Sequence, residues 1–492
     1  MTGRGRLAKG AAPPSILWFR QDLRLADQPA LRAAAATGGP VIPVYIWSPQ
    51  EEGEWPPGAA ARWWIARSLR SLETELQARG SFLVIRRGPA AAALRALARE
   101  TGAERIVYTR RIEPAAREQE EAVRQAFPAD GRPEAVGCPG SLLFEPEEVR
   151  TRAGGPFQVF TPFYRACLAL TDRPEPFSAP RRILSPARRP RSQACSELAL
   201  DATSDPSGDL AGAWSPGEAG ARRRLARFLR SGLSGYAADR DRPDRERTSA
   251  LSPYLHHGEL SPRRVWSALR GGGAAADPFR RQLLWREFAA HLLWHFPHTP
   301  LAPLRPEYAA FRWRRDADGL AAWQGGRTGV PLVDAGMRQL RSIGWMHNRV
   351  RMVAGSFLVK DLLLSWQDGA RWFWERLVDA DLANNTLGWQ WVAGCGADAA
   401  PYFRVFNPYT QGERYDPAGA YVRRWVPELA PLPDRWVHRP HGAPPPVREA
   451  AGLVAGSLPY PQPLIAHDVA RARALAAYDR LRRRQGGSAC AS

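Results

Sequence analysis

The 492-residue sequence contains no run of eighteen apolar residues, which excludes a membrane-spanning helix. Its five cysteines, Cys138, Cys167, Cys195, Cys395 and Cys490, are odd in number and never spaced CxxC. That argues against a disulfide framework and against a zinc site, and fits a reducing cytoplasm as the expected compartment. No metal is expected. The start, MTGRGRLAKGAAPPS, has no apolar core, so no secretory signal is expected. Lysine is nearly missing: Lys9 and Lys360 are the only two. Almost all positive charge is therefore arginine, and 69 basic residues against 49 acidic ones leave a formal net charge of +20. A high-GC codon bias accounts for arginine in place of lysine and for the many alanines. It does not account for the surplus, which favours a polyanionic partner such as nucleic acid.

At 44% hydrophobic residues, the chain can bury sizeable cores. Residues 15–140 alternate strand-like runs (Ser15–Arg20, Val41–Trp47, Phe82–Ile85, Arg105–Thr109) with helical spacing (Ala59–Arg79, Pro89–Glu100, Glu113–Phe127). Alternation at this spacing predicts an α/β domain with a parallel sheet. The turn after the first strand, Gln21-Asp22-Leu23-Arg24, carries no GxGxxG, and no P-loop appears. Residues 141–220 have the Pro-, Arg- and Gly-rich composition of a linker, with a docked helix at Phe157–Leu170. From 221 to 482 the helical period persists, predicting an all-α domain. Helices are expected at Arg222–Arg230, Pro262–Leu269, Pro278–Phe296, Asp334–Ser342, His347–Leu364 and Ala370–Asp379. Residues 1–14 and 483–492 are expected to be flexible ends.

Four segments of the second half carry chemistry. Tyr236, Arg240 and the turn Thr248-Ser249-Ala250-Leu251-Ser252 offer hydroxyl and N–H donors to a phosphate; the turn reads equally as an ordinary helix cap. Gln282 precedes Trp285-Arg286, which cannot both face a core, so one faces a partner or a site. His347, Asn348, Arg349, Arg351 and Met352 crowd a helix start, where anion or base recognition is favoured. Finally, Asp379 to Trp391 packs Asp379, Asp381, Asn384, Asn385, Trp389 and Trp391 into a stretch whose polarity does not suit a helix interior.

The ordered motifs WFRQDLRL, TSALSPYL, LLWREF, GWMHNRVRM, FLVKDLL, DADLANN, GWQW and APYFRVFNP carry a family likeness from Ile16 to Arg482. The chain resembles the DNA photolyase/cryptochrome flavoproteins, most closely the class I cyclobutane pyrimidine dimer photolyases. The resemblance implies FAD in the helical domain, with its phosphates at Tyr236 and Thr248–Ser252. It implies an Arg351–Asp379 ion pair against the flavin, Asp381 on the flavin or ribose side, and Asn385 beside flavin N5. Arg286 and Asn348 also fall in the flavin set. UV-damaged DNA is the implied partner, bound by a monomer. Its lesion would flip out between the walls Trp285 and Trp391, in contact with Gln282, Asn348 and Met352, with Arg240 and Arg349 at the phosphates. Trp389, Trp366 and Trp313 match the family's photoreducing chain; on sequence alone they read as core.

The implied chemistry is photochemical: light moves one electron from reduced FAD to the dimer, the cyclobutane bonds break, and the electron returns, without general acid, nucleophile or metal. Two departures stand out. Gln282 replaces a glutamate of the best-known dimer photolyases and matches the (6-4) enzymes, whereas His347-Asn348 replaces their His-His pair. Ala115 and Ala116 stand where folate-binding members carry Asn-Glu. A folate antenna is therefore not expected, and a deazaflavin, another chromophore or none remains open. Cyclobutane dimer repair is the expected function, with (6-4) repair and blue-light cryptochrome signalling as alternatives.

Overall fold

The structure, a computed structural model, describes residues 12–170, 175–200, 208–399, 401–402, 404–453 and 460–489. Most of the expected end at 1–14 lies outside these residues, as do 490–492. The helix His467–Ala489 runs through the described part of the expected end at 483–492.

The first half is a five-stranded parallel sheet in the order β3-β2-β1-β4-β5. Its strands are β1 (Ser15–Phe19), β2 (Val41–Trp47), β3 (Val84–Arg87), β4 (Arg105–Thr109) and β5 (Glu134–Cys138). The helices α1 (Pro29–Ala35), α2 (Ala59–Gln77), α3 (Ala90–Thr101) and α4 (Pro114–Ala126) connect them in turn. β1 is buried along its whole length, as a parallel strand covered on both faces must be. Sequence periodicity missed α1 and β5. The sequence PALRAAA is short and its small side chains give little amphipathic signal, while EAVGC is a half-exposed edge strand containing a glycine. The strand order reverses between β1 and β4, where open α/β sheets place ligands at the carboxyl ends of strands.

The described residues of 141–217 pack onto both halves. The helix α5 (Phe160–Ala169) buries Phe160, Phe163 and Cys167. Buried Glu287 of the helix Gly273–His295 accepts from the Leu143 amide at 2.7 Å and the Phe144 amide at 3.2 Å, and pairs with Arg286 at 2.9 Å. From 218 onward the described residues form helices and turns, with no strand. The expected helix His347–Leu364 is Asn348–Ser356 followed by a wider π turn, Phe357–Asp361.

The two halves are joined through buried polar groups. Arg24, 2% exposed, donates to the carbonyls of Asp27 (3.0 and 3.1 Å), Gly140 (3.0 Å) and Gly258 (2.9 Å). Asp27 accepts from Arg263 at 2.7 Å and from Ser261. Glu218 accepts from the Leu25 and Ala26 amides at 2.9 and 3.3 Å. Glu259 accepts from Trp64 at 3.1 Å, from the Gly217 amide at 2.6 Å and from Ser68. Gly258 has φ +66°, and a Cβ there would fall 2.1 Å from the Gln21 carbonyl oxygen. Only glycine allows this approach.

Burial pushes the Glu259 carboxyl up to about 8, against the hydrogen bonds from Ser68, Gly217 and Trp64 that favour its charged form. In the unfolded chain it titrates at about 4.3. Between these values the folded state binds a proton that the unfolded state has lost, so this group's contribution to stability falls as pH rises through that window. Glu259→Gln removes the titration. Its thermal-unfolding midpoint should fall less from about pH 5 to about pH 8 than that of the parent; parallel curves would contradict the shift.

Candidate functional site: a polar cavity in the helical half

A cavity of about 350 Å³ lies among the helices of the second half. One wall is the turn Thr248–Ser252 leading into the short helix Ser252–His256. Ala250 in this turn has φ +48°, a left-handed conformation that costs a non-glycine residue free energy. Thr248, Ser249, Leu251 and Ser252 line the cavity with Tyr236 and Arg240; Ala250 does not line it but sets the bend.

The opposite wall comes from the helix Asn348–Ser356 and the segment after Arg376. Arg351 pairs with both oxygens of Asp379 at 3.0 and 2.9 Å and donates to the Met346 carbonyl at 2.8 Å. Asp379 also accepts from Ser252 at 2.5 Å, and Trp345 donates to Ser252 at 3.3 Å. This chain of bonds fixes the hydroxyl turn against the ion pair. Trp345 and Met346 had no assigned role in the sequence reading; their signal was adjacency to His347 and Asn348.

The polar stretch ending at Trp391 is a helix after all, Leu382–Ala393. Asp381 caps it, accepting from the Asn384 amide at 2.8 Å and side chain at 2.7 Å, and Gly394 ends it in a left-handed turn. Capping supplies the partners that made the sequence look unsuited to a helix. Asp381, Asn384, Asn385 and Trp389 face the cavity. Burial pushes the Asp381 carboxyl up, but His256, at 3.6 Å, and the nearby Arg286 charge outweigh it and hold it well below the usual range. His256 was not singled out from the sequence, although it directly follows the hydroxyl turn. Asn385 donates to the Ala370 carbonyl at 3.1 Å, which orients its amide.

Gln282, Arg286, Asn348 and Met352 also line the cavity. Several expected residues do not. Arg349 is turned away, paired with Asp241 at 2.9 Å and lying 4.6 Å from the Tyr415 ring. Trp285 stacks on Phe160 of α5 at 3.8 Å and 7°, so the linker helix covers one face of the indole and both Trp285 and Arg286 have protein partners. Trp391 lies on the outer side of its helix near Phe406, at 6.4 Å. His347 caps its helix, accepting from the Arg349 amide at 3.2 Å, and burial pushes it down to about 4, so it is neutral.

Trp389 reaches the cavity wall, whereas buried Trp366 and half-buried Trp313 do not line the cavity. Trp389 meets the Trp323 indole edge-on, with ring centroids 6.1 Å apart, and the Phe373 ring at 5.0 Å. Trp313 packs on Phe311 at 4.3 Å. Trp323 gave no sequence signal beyond an apolar helical position.

A second cavity, about 240 Å³, opens at the carboxyl ends of β1 and β2 against the helical half. Trp18, Trp47, Trp55 and Trp374 give it an aromatic lining, and Glu52, Arg111 and Glu113 a charged end. Ala115 lines it, whereas Ala116 is buried with its carbonyl accepting from Arg20 at 3.2 Å. His256 borders both cavities.

A deoxyribodipyrimidine photo-lyase of Agrobacterium fabrum is 45% identical over 471 residues, 94% of this chain and 97% of that one. The chain belongs to the DNA photolyase/cryptochrome family. The family model for DNA photolyase matches residues 15–181, and that for the FAD binding domain of DNA photolyase matches residues 279–480. Cryptochrome-1 of Arabidopsis thaliana is 38% identical over 94% of this chain and 70% of its own length. Among solved structures, a bacterial class III photolyase from Agrobacterium tumefaciens superposes with TM-score 0.93 at 43% identity, covering 98% of this chain and all of that one. That description differs from the class I likeness drawn from the motifs. An archaeal photolyase from Sulfolobus tokodaii, described with two FAD molecules, superposes at TM-score 0.81 and 28% identity, over 95% of this chain and all of that one.

The helical half is thus an FAD-binding domain, and the residues of its cavity fit FAD. The hydroxyl turn offers donors suited to phosphates, and the half-buried Arg351 guanidinium offers positive charge to an electron-rich ring. Among the described residues no three His, Cys, Asp or Glu side chains group to hold a metal, and no helix is long and apolar enough to cross a membrane.

Gly369 gives Trp389 its place: a Cβ there would lie 2.1 Å from the indole ring. Gly369→Ala should push Trp389 from the wall, costing about 1–3 kcal/mol of stability and lowering FAD affinity in a fluorescence titration. Unchanged unfolding and unchanged affinity would mean that Trp389 moves freely.

Proposed function

We propose that this protein repairs cyclobutane pyrimidine dimers in UV-damaged DNA under blue or near-UV light. The observation that carries the reading is a guanidinium–carboxylate pair, half-buried Arg351 with buried Asp379, tied to a hydroxyl turn and lining one cavity with Asn385. When bound, reduced FAD supplies the light-excited electron that opens the cyclobutane ring. Arg351 stabilises negative charge on the ring beside it. Asn385, with its amide held by the Ala370 carbonyl, offers hydrogen bonding without a ready proton. Thr248, Ser249 and Ser252 hold phosphates. Gln282, Asn348 and Met352 meet the flipped lesion, whose poor pairing and stacking lower the cost of extrusion. Arg240 and the +20 surplus attract the DNA backbone.

Trp285 is assigned to the rim as a stacking surface backed by Phe160, and Trp391 has the weaker claim because it lies off the cavity. Trp389, Trp366 and Trp313 are assigned to photoreduction of oxidised flavin, with Trp389 nearest the cofactor. The aromatic cavity at the ends of β1 and β2 is assigned to a second chromophore. Ala115 at its wall supports a ligand other than a folate held by an Asn-Glu pair. The Sulfolobus tokodaii relative, with its two FAD molecules, supports this assignment.

The test is illumination of anaerobically photoreduced protein with two oligonucleotides, one carrying a thymine dimer and one a (6-4) product. Recovery of base absorbance with the first alone is expected. Recovery with the second alone would reassign the lesion, and no recovery with either, despite reduced flavin, would favour a photoreceptor, as the cryptochrome relatives suggest. In the same assay Asp379→Asn should lose flavin on gel filtration, because Arg351 loses its counter-charge; full retention would contradict the ion pair's role.

A further inference from the structure

We propose that the exposed arginines around Trp313 form a docking surface for small anionic reductants, which return an electron to this indole after light has drawn one from it. The inference rests on the photoreduction role assigned to Trp313 above and names the chemical class of donor that serves it. Trp313 is half-buried and does not line the flavin cavity. It packs on Phe311 at 4.3 Å. Phe311 belongs to a small apolar cluster with Ala474, Ala477 and Leu481 of the helix His467–Ala489, and Trp313 packs against the same cluster. That helix therefore lies beside the indole.

The charge here is one-sided. Segments 305–318 and 467–484 carry ten arginines and five carboxylates. Arg312, Arg314 and Arg315 are exposed. Arg314 has Asp316 at 3.8 Å, whereas Arg312 and Arg315 pair with no carboxylate among the described residues. Arg473, on the neighbouring helix, donates to the Asp361 carbonyl, and the Asp361 carboxylate pairs with His467 at 2.6 Å. Burial pushes the Arg473 guanidinium down, and the Arg314 charge pushes it further, against nearby Asp361 and Asp316. Cations crowded in this way, with two unpaired neighbours, attract an anion. None of these arginines lines the flavin cavity, so the surface is separate from the residues assigned to the lesion.

The ascorbate monoanion serves as the probe. Light moves an electron along the tryptophan chain toward the flavin and leaves a radical at Trp313. Ascorbate gives that indole one electron, loses a proton to water and ends as the ascorbyl radical anion. A positive surface speeds such an encounter by about 10-fold or more at low salt, and added salt screens it.

The test uses holoprotein with oxidised FAD, anaerobic, under blue light. Flavin reduction and decay of the tryptophan radical are followed with ascorbate and with neutral dithiothreitol, with dark controls subtracted. The variant Arg312→Glu/Arg315→Glu is compared with Arg181→Glu/Arg182→Glu, which makes the same change in net charge at exposed linker positions. At low salt the first variant should slow the ascorbate reaction roughly 5- to 20-fold, and the second less than about twofold. The dithiothreitol reaction should stay within about twofold of the parent in both. Adding salt to about 500 mM should bring parent and variant together with ascorbate. Equal slowing by the two variants, or no slowing by the first, overturns the inference. So does a first variant that loses affinity for undamaged DNA while its ascorbate rate is unchanged, which would give the surface to nucleic acid. Trp313→Phe separates this failure from that of the underlying reading. It should slow photoreduction with both reductants, and undiminished photoreduction would overturn the role of Trp313 and this inference together.

Discussion

Arg24, Asp27 and Glu259 are buried where the α/β half meets the helical half, and their need for partners constrains everything around them. Buried charged and polar groups are tolerated only when bonded. Arg24 satisfies its guanidinium on three carbonyls drawn from both halves, one of them at Gly140, where the α/β half ends. Asp27 and Glu259 bind donors across the same seam. The segment His256–Glu259 that meets this seam directly follows the hydroxyl turn of the cavity. Docking the halves therefore also places the turn. Gly258, the one residue able to approach the Gln21 carbonyl so closely, permits it.

From that turn the polar network runs inward, through Ser252 to Asp379 and Arg351, and across the cavity to the capped helix that carries Asp381 and Asn385. Each charged group has a counter-charge or a cap, so the cavity keeps ionised groups in a half-buried place. His256 stands between this cavity and the aromatic one at the sheet's edge. The two cavities thus share a wall at this histidine.

Much of this was legible in the sequence. Strands β1, β2 and β4 and helices α2 to α4 follow from runs and periods long enough to stand above noise. The hydroxyl turn and the Arg351–Asp379 pair follow from ordered motifs. What escaped has physical reasons. α1 is short and alanine-rich, and β5 is an edge strand. The helix Leu382–Ala393 looked too polar because its Asp381 cap and cavity-facing amides are satisfied only in three dimensions. The stacking of Phe160 on Trp285, the edge contact of Trp323 with Trp389, and the rotation of Arg349 toward Asp241 are contacts between distant segments, which no local pattern records.

The most direct measurement is a crystal structure of the reduced, FAD-loaded protein bound to a duplex with one thymine dimer, kept in the dark. The account predicts the dimer turned out of the helix into the mouth of the cavity, touching Gln282, Asn348 and Met352, with the flavin between Arg351 and Asn385. A dimer left stacked in the duplex, or a flavin bound away from the Arg351–Asp379 pair, would contradict it.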